Sequence, residues 1–202
     1  MTLLLRWFGL AALWICSALQ ADTILMPVHP NEPGTVRLQF ASANDFSYVQ
    51  LVHDTVMGGR SRGTLQAVET TALRFSGHLS LANNGGFASA QFNLKQPLPA
   101  LDFQQIQLQL AADGRRYQLR LKTPFIPDGV AYVAHFDSQP GKASYEFTAR
   151  DFNGQFRGRA VANMPVLHFA DVYQISIMLA DKTTGHFDIL LYDIEFSALQ
   201  SI

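Results

Sequence analysis

Beyond residue 16 the sequence has no cysteine, and beyond residue 14 no tryptophan: Cys16, Trp7 and Trp14 are the sole examples. A domain built from the remainder has no disulfide available, so buried apolar surface must hold it together. A cysteine nucleophile is excluded there as well. Glutamates are scarce, with Glu32, Glu69, Glu146 and Glu195 making up the full set. None lies in the motif segments described below, which gives paired-carboxylate glycoside chemistry little support. Basic runs are missing too: 15 Lys+Arg against 16 Asp+Glu leave a net charge of −1. No clustered positive face is therefore offered to nucleic-acid phosphates, and no polybasic patch to a membrane surface.

Other motifs are absent in the same informative way. His29, His53, His78, His135, His168 and His186 are scattered, without H-x-x-x-H or H-E-x-x-H spacing, so no metal is expected. The letters G-x-S-x-G occur once, at Gly59-Arg60-Ser61-Arg62-Gly63, but no helix follows to make the elbow of a serine hydrolase, and no G-x-G-x-x-G marks a nicotinamide cofactor. The sequence gives no catalytic residue and no cofactor to name, and its expected class is not an enzyme. There is no repeat, no low-complexity tract, no linker, and no amphipathic helix of ten or more residues.

What is present begins with the layout of a secretory signal. Arg6 supplies a positive charge, an apolar run from Trp7 to Leu19 follows, and Ser17, Ala18 and Ala21 are small. The run is short for a span of roughly 20 apolar residues. Residues 1–21 are therefore expected to be a signal peptide, 22–34 a flexible lead-in and 35–202 one β-sandwich domain. The mature chain is expected to be exported, to the periplasm, without membrane insertion. Cys16 follows bulky Trp14 and Ile15 and makes a poor lipoprotein cysteine.

Past the signal the dominant period is two. Gln105, Gln107 and Gln109 alternate with Ile106, Leu108 and Leu110, which describes a strand with one wet and one buried face. Residues 116–122 and 174–179 repeat the pattern. Further strand-like runs cover 35–40, 64–68, 73–76, 87–94, 130–136, 144–147 and 187–196. In the last of these the alternation slips at Leu190-Leu191, as a β-bulge makes it do. Turn formers separate the runs at Asn83-Asn84-Gly85-Gly86, Asp113-Gly114, Pro127-Asp128-Gly129, Gln139-Pro140-Gly141 and Asn153-Gly154. Asp113-Gly114 reads as a tight hairpin turn. Pro165–Val172 is expected to hold a short helical turn. Short strands at this spacing define an all-β sandwich or barrel in one domain.

Five segments could carry function. The densest is His53-Asp54-Thr55-Val56-Met57-Gly58-Gly59-Arg60-Ser61-Arg62-Gly63, where paired glycines permit close approach of a backbone or ligand. Asp54 can accept from following amides, and Arg60 and Arg62 are planar donors for a carboxylate or other anion. The second is Gly77 to Ser89, with Asn83, Asn84 and Phe87. The others are Asp113-Gly114-Arg115-Arg116-Tyr117, Arg157-Gly158-Arg159 and Asp181-Lys182.

These five segments, in this order, resemble the complex I intermediate-associated protein 30 family over about 40–196. The resemblance implies a galactose-binding-like jelly-roll β-sandwich and a chaperone-like, non-catalytic role in assembling a protein complex. Family members usually carry a tryptophan shortly before the motif aspartate, where this chain offers Phe46 and Tyr48. An exported protein would not meet the complex I arm in the cytoplasm or matrix, so the client is expected to differ. The expected contacts for a protein client or small envelope ligand are Asp54, Arg60, Ser61, Asn84, Phe87, Arg115, Arg159, Asp181 and Lys182. The alternative reading is a module binding carbohydrate or another envelope ligand at its loop ends, where Tyr117 joins Asp54, Arg60, Asn84, Phe87 and Arg159.

Overall fold

The ten period-two segments become ten of the thirteen strands among the described residues of the computed structural model, which are 34–68 and 70–198. The expectations for the signal, and for the lead-in up to residue 33, lie outside the described residues. In chain order the strands are β1 (Thr35–Gln39), β2 (Phe46–His53), β3 (Arg62–Val68), β4 (Ala72–Leu79), β5 (Ala88–Leu94), β6 (Phe103–Ala112), β7 (Arg116–Lys122), β8 (Val130–Asp137), β9 (Gly141–Thr148), β10 (Asn153–Phe156), β11 (Arg159–Ala160), β12 (Gln174–Leu179) and β13 (Gly185–Ala198). One sheet runs β3-β4-β13-β6-β9, with β1 on the distal half of β13; the other runs β11-β10-β8-β7-β12-β5-β2. Every ladder is antiparallel. This is an all-β sandwich, one of the two architectures the alternation pointed to, with the jelly-roll form that the family resemblance implied.

The inward faces meet in one core. Ile106, Leu108 and Leu110 of β6, Leu119 and Leu121 of β7, and Ile175, Ile177 and Leu179 of β12 are fully buried. Phenylalanines supply much of the bulk: Phe40, Phe46 and Phe92 cluster at one edge, and Phe75 meets Phe187 edge-on at 4.9 Å. Each such side chain stabilises by roughly 1.5–3 kcal/mol on burial. That apolar surface does the work no disulfide can do here.

Three local expectations change. Asp113-Gly114 does not close a hairpin: β6 lies in the six-stranded sheet and β7 in the seven-stranded one, so the turn carries the chain across the sandwich. Asn153-Gly154 is strand, not turn, because Gly154 lets β10 pass beneath the Met164 side chain. Residues 46–53, outside the expected strands, form β2 at a sheet edge, where Tyr48 and Val49 stay exposed and blur the alternation. Elsewhere the pattern holds. The β13–β6 register shifts between Leu191 and Asp193, and a single 3₁₀ turn at Phe169–Asp171 falls within 165–172.

Candidate functional site

Four connections cross between the two sheets at one end of the sandwich, and they carry eight of the nine expected site residues. His53 pairs with Ala88, and Leu179 pairs with both Ala88 and Tyr117. The end of β2, the start of β5, the end of β12 and the start of β7 therefore lie side by side. From this edge residues 54–61 pass to β3, 80–87 arrive from β4, 113–115 arrive from β6, and 180–184 pass to β13. The crossings are laced together in two pairs.

Asp54 ties the first pair. Its side chain is fully buried on a 3₁₀ turn, Asp54–Met57, at the exit of β2. Oδ1 accepts from Ser61 N at 2.9 Å; Oδ2 accepts from the Ser61 hydroxyl, from Gly86 N at 2.6 Å and from Phe87 N at 3.4 Å. The Ser61 Oγ in turn accepts from Ser80 N at 3.0 Å. Asn83 Nδ2 adds a bond to the Gly58 carbonyl, also 3.0 Å. Glycine is needed at Gly59 and Gly85, because a Cβ on either would overlap the Asp54 carboxylate. Burial pushes the Asp54 pKa up, but the bonds from Ser61, Gly86 and Phe87 together outweigh it and hold the pKa below its ordinary value. Beneath the loop, burial pushes the His53 imidazole pKa down, the Asp54 charge offsetting part of this. His53 Nε2 is buried with no hydrogen-bond partner.

Arg115 ties the second pair. Its Nε and Nη2 bond both Asp181 oxygens at 2.9 and 2.7 Å, a bidentate pair with side chains 13% and 11% exposed. Further bonds reach the carbonyls of Thr183, Gly185 and His186. Asp113 accepts from Arg115 N, from the Tyr117 hydroxyl and from Asp188 N, joining β6, β7 and β13. Burial, followed by Asp113, pushes the Tyr117 hydroxyl pKa well up.

The expected residues thus fall into distinct groups. Asp54, Ser61, Arg115 and Asp181 face one another inside the crossings and spend their polar atoms there. Arg60, Asn84 and Lys182 are exposed on the same end, and Phe87 is half-buried. Arg159 lies apart, on β11 at the far edge of the seven-stranded sheet. Next to the expected groups stands an apolar knob that the sequence reading did not single out as a contact: Val56 is 73% and Met57 59% exposed, and Leu81, across the Asn83–Gly58 bond, is 42%. Two consecutive apolar residues at the tip of a glycine loop were the available signal.

A second surface also escaped the sequence reading. The outer face of the seven-stranded sheet carries a polar row in register across four strands: Gln50 opposite Gln91, Gln91 opposite Ser176, and Ser176 opposite Arg120. Gln118, Ser89 and Ser176 of this face are buried. Gln50 on β2 apart, period two marked these residues as one face of a strand, which does not separate a ligand surface from an ordinary solvent face. Among the described residues no group of three or more His, Cys, Asp or Glu is placed to hold a metal, and no helix is long and apolar enough to cross a membrane.

Two antiparallel sheets with motif-bearing loops at one end define a jelly-roll β-sandwich. The chain belongs to the complex I intermediate-associated protein 30 family, whose sequence model matches residues 38–191. No curated relative matches the chain in sequence. Among solved structures it is similar to the family 11 carbohydrate-binding module from Clostridium thermocellum in complex with a β-1,3-1,4-mixed-linked tetrasaccharide, with TM-score 0.57 and 14% identity over 83% of this chain and 98% of that one. The same module of the cellulosomal cellulase Lic26A-Cel5E from Clostridium thermocellum gives TM-score 0.57 and 14% identity over 83% and 97%. A family 29 carbohydrate-binding module from Piromyces equi gives 0.47 and 10% over 83% and 95%. At these identities the likeness is one of fold.

Proposed function

We propose that the domain is a non-catalytic binding protein that holds a protein client at the loop end, in the manner of an assembly factor. The observation that carries this is the exposed Val56–Met57 knob, mounted on a loop that Asp54 fixes from inside. A rigid apolar projection loses little conformational entropy on docking. Arg60 and Arg62 are exposed beside it, and neither forms an ion pair among the described residues. The fitting client surface is an apolar recess bordered by acidic side chains. The Arg6-led apolar run at the N-terminus supports export, so the client is one met outside the cytoplasm.

A photo-crosslinker at position 57 of the full chain, used in the native compartment, is expected to capture one dominant protein. That protein, purified, should bind wild type at least tenfold more tightly than the Val56→Ser/Met57→Ser double variant. Val166→Ser is the control, since Val166 is 76% exposed near the other end of β12. Equal loss in both variants, or none in either, would overturn the proposal. Cell fractionation tests export separately: a product retained in the cytoplasm with residues 1–21 intact would remove that part of it.

A second reading, a carbohydrate ligand, is favoured by one specific observation, the amide-rich row on the seven-stranded sheet. Amides both donate and accept, as hydroxyl groups require, and modules of similar fold are described as carbohydrate-binding.

A further inference from the structure

The outer face of the seven-stranded sheet holds two cations that no carboxylate neutralises. Arg120 and Lys122 sit two residues apart on β7 and so share this face. Neither forms an ion pair among the described residues. Arg120 Nη1 donates to Gln118 Oε1 at 2.9 Å, the one hydrogen bond its guanidinium makes among the described residues. Gln118 is itself only 8% exposed. Most of the five-donor fork is therefore left for something else, on a half-buried side chain.

The neighbouring strand holds a complementary vacancy in hydrogen bonding. Gln174 stands opposite Lys122, and Ser176 opposite Arg120. Gln174 Nε2 donates to Asn93 Oδ1 at 2.6 Å, leaving Gln174 Oε1 buried without a partner. An orphaned acceptor calls for a hydroxyl or amide donor, and an unpaired guanidinium calls for a planar anion. One ligand class supplies both, a hydroxylated ring bearing a carboxylate.

We propose that this face binds an acidic glycan, with Arg120 and Lys122 on a uronate carboxylate and Gln174, Ser176 and Asn93 on neighbouring hydroxyls. This rests on the carbohydrate reading above and adds the charge of the sugar to it. Strands spaced about 4.8 Å apart spread β5, β12 and β7 over roughly 10 Å, enough for two or three ring units. Burial also lowers the Arg120 pKa, a desolvation cost that a paired anion would offset. The surface is the sheet's face rather than its loop end, so it does not compete with the Val56–Met57 knob.

Calorimetric titration of the full chain with trimers of galacturonate, glucuronate and mannuronate, beside the matching neutral trimers, tests this. At least one acidic trimer should bind tenfold or more tightly than its neutral partner, and weaken as salt rises. Arg120→Gln should lose tenfold or more of that binding with its melting temperature unlowered, and Lys122→Gln about threefold. Neutral and acidic trimers binding alike, with Arg120→Gln unaffected, would overturn the acidic-glycan inference and leave the carbohydrate reading standing. No binding by any trimer would overturn both.

Discussion

Ser61 gives both of its protons to one carboxylate: its N–H reaches Asp54 Oδ1 at 2.9 Å and its hydroxyl donates to Oδ2. Gly86 and Phe87, on the other crossing, donate to the same Oδ2. A single carboxylate thus fixes two loops that carry the chain between sheets. Their backbones need not be ordered by a ligand.

Asp54→Ala leaves the amides of Ser61, Gly86 and Phe87 without an acceptor, while the Ser61 hydroxyl keeps the Ser80 carbonyl at 3.2 Å, at a cost on the order of 1–3 kcal/mol. Asp54→Asn should lose a similar amount, because its NH2 must face one set of donors whichever way the amide turns. Urea unfolding of the three proteins measures this. Midpoints matching wild type would show that water serves the loop equally well.

Gly85→Ala should be destabilising on its own, since the new Cβ overlaps the Asp54 carboxylate. Once Asp54→Ala has removed the carboxylate, the same substitution should cost markedly less. A double-mutant cycle is expected to give a coupling of about 1 kcal/mol or more. Strict additivity would mean that the glycine serves something other than contact with Asp54.

Much of the fold was legible because Ile106, Leu108 and Leu110, and again Ile175 and Ile177, alternate with polar residues on half-buried strands. The five motif segments were legible as a family pattern. What they do was not, because the Asp54–Gly86 bond joins residues far apart in sequence and a turn sequence does not reveal which sheet comes next. Asp113-Gly114 shows the limit: the residues of a hairpin turn serve equally well in a crossing, and partner strands decide. Arg120 was passed over for a similar reason. Its place in the Arg116–Lys122 alternation marks a polar face, and only the register reveals that it stands opposite Ser176 with no carboxylate near.

The Arg115–Asp181 pair closes the second set of crossings, with both side chains largely withdrawn from water. Arg115→Ala leaves Asp181 partly buried and uncompensated and frees three loop carbonyls, so a loss on the order of 3 kcal/mol is expected. Arg115→Lys should recover little, since an ammonium cannot span both Asp181 oxygens and the carbonyls of 183–186. Full recovery by lysine would reduce the clasp to simple charge attraction. The Arg74–Asp188 pair, with side chains 46% and 43% exposed, is the contrast, and Arg74→Ala should cost little.

Acid should weaken the protein in two stages, the first shared by His135, whose pKa burial also lowers, and His53. The folded pKa of His53 lies below the ordinary 6.5 because burial disfavours the imidazolium. The unfolded chain therefore binds the proton first, and stability falls as pH drops through 6.5 towards the folded value. Asp54 sets the second. Its folded pKa is held below 3.8, so its contribution is intact above that value and is lost as pH falls through the folded one. His53→Asn should lessen the fall in melting temperature between pH 7 and 5, leaving the part due to His135 and the steeper loss below pH 4; Asp54→Ala should do the reverse. Melts of both variants across this range, beside wild type, separate the two. Parallel curves for His53→Asn and wild type above pH 5 would show that the imidazole takes its proton as readily under the loop as in water.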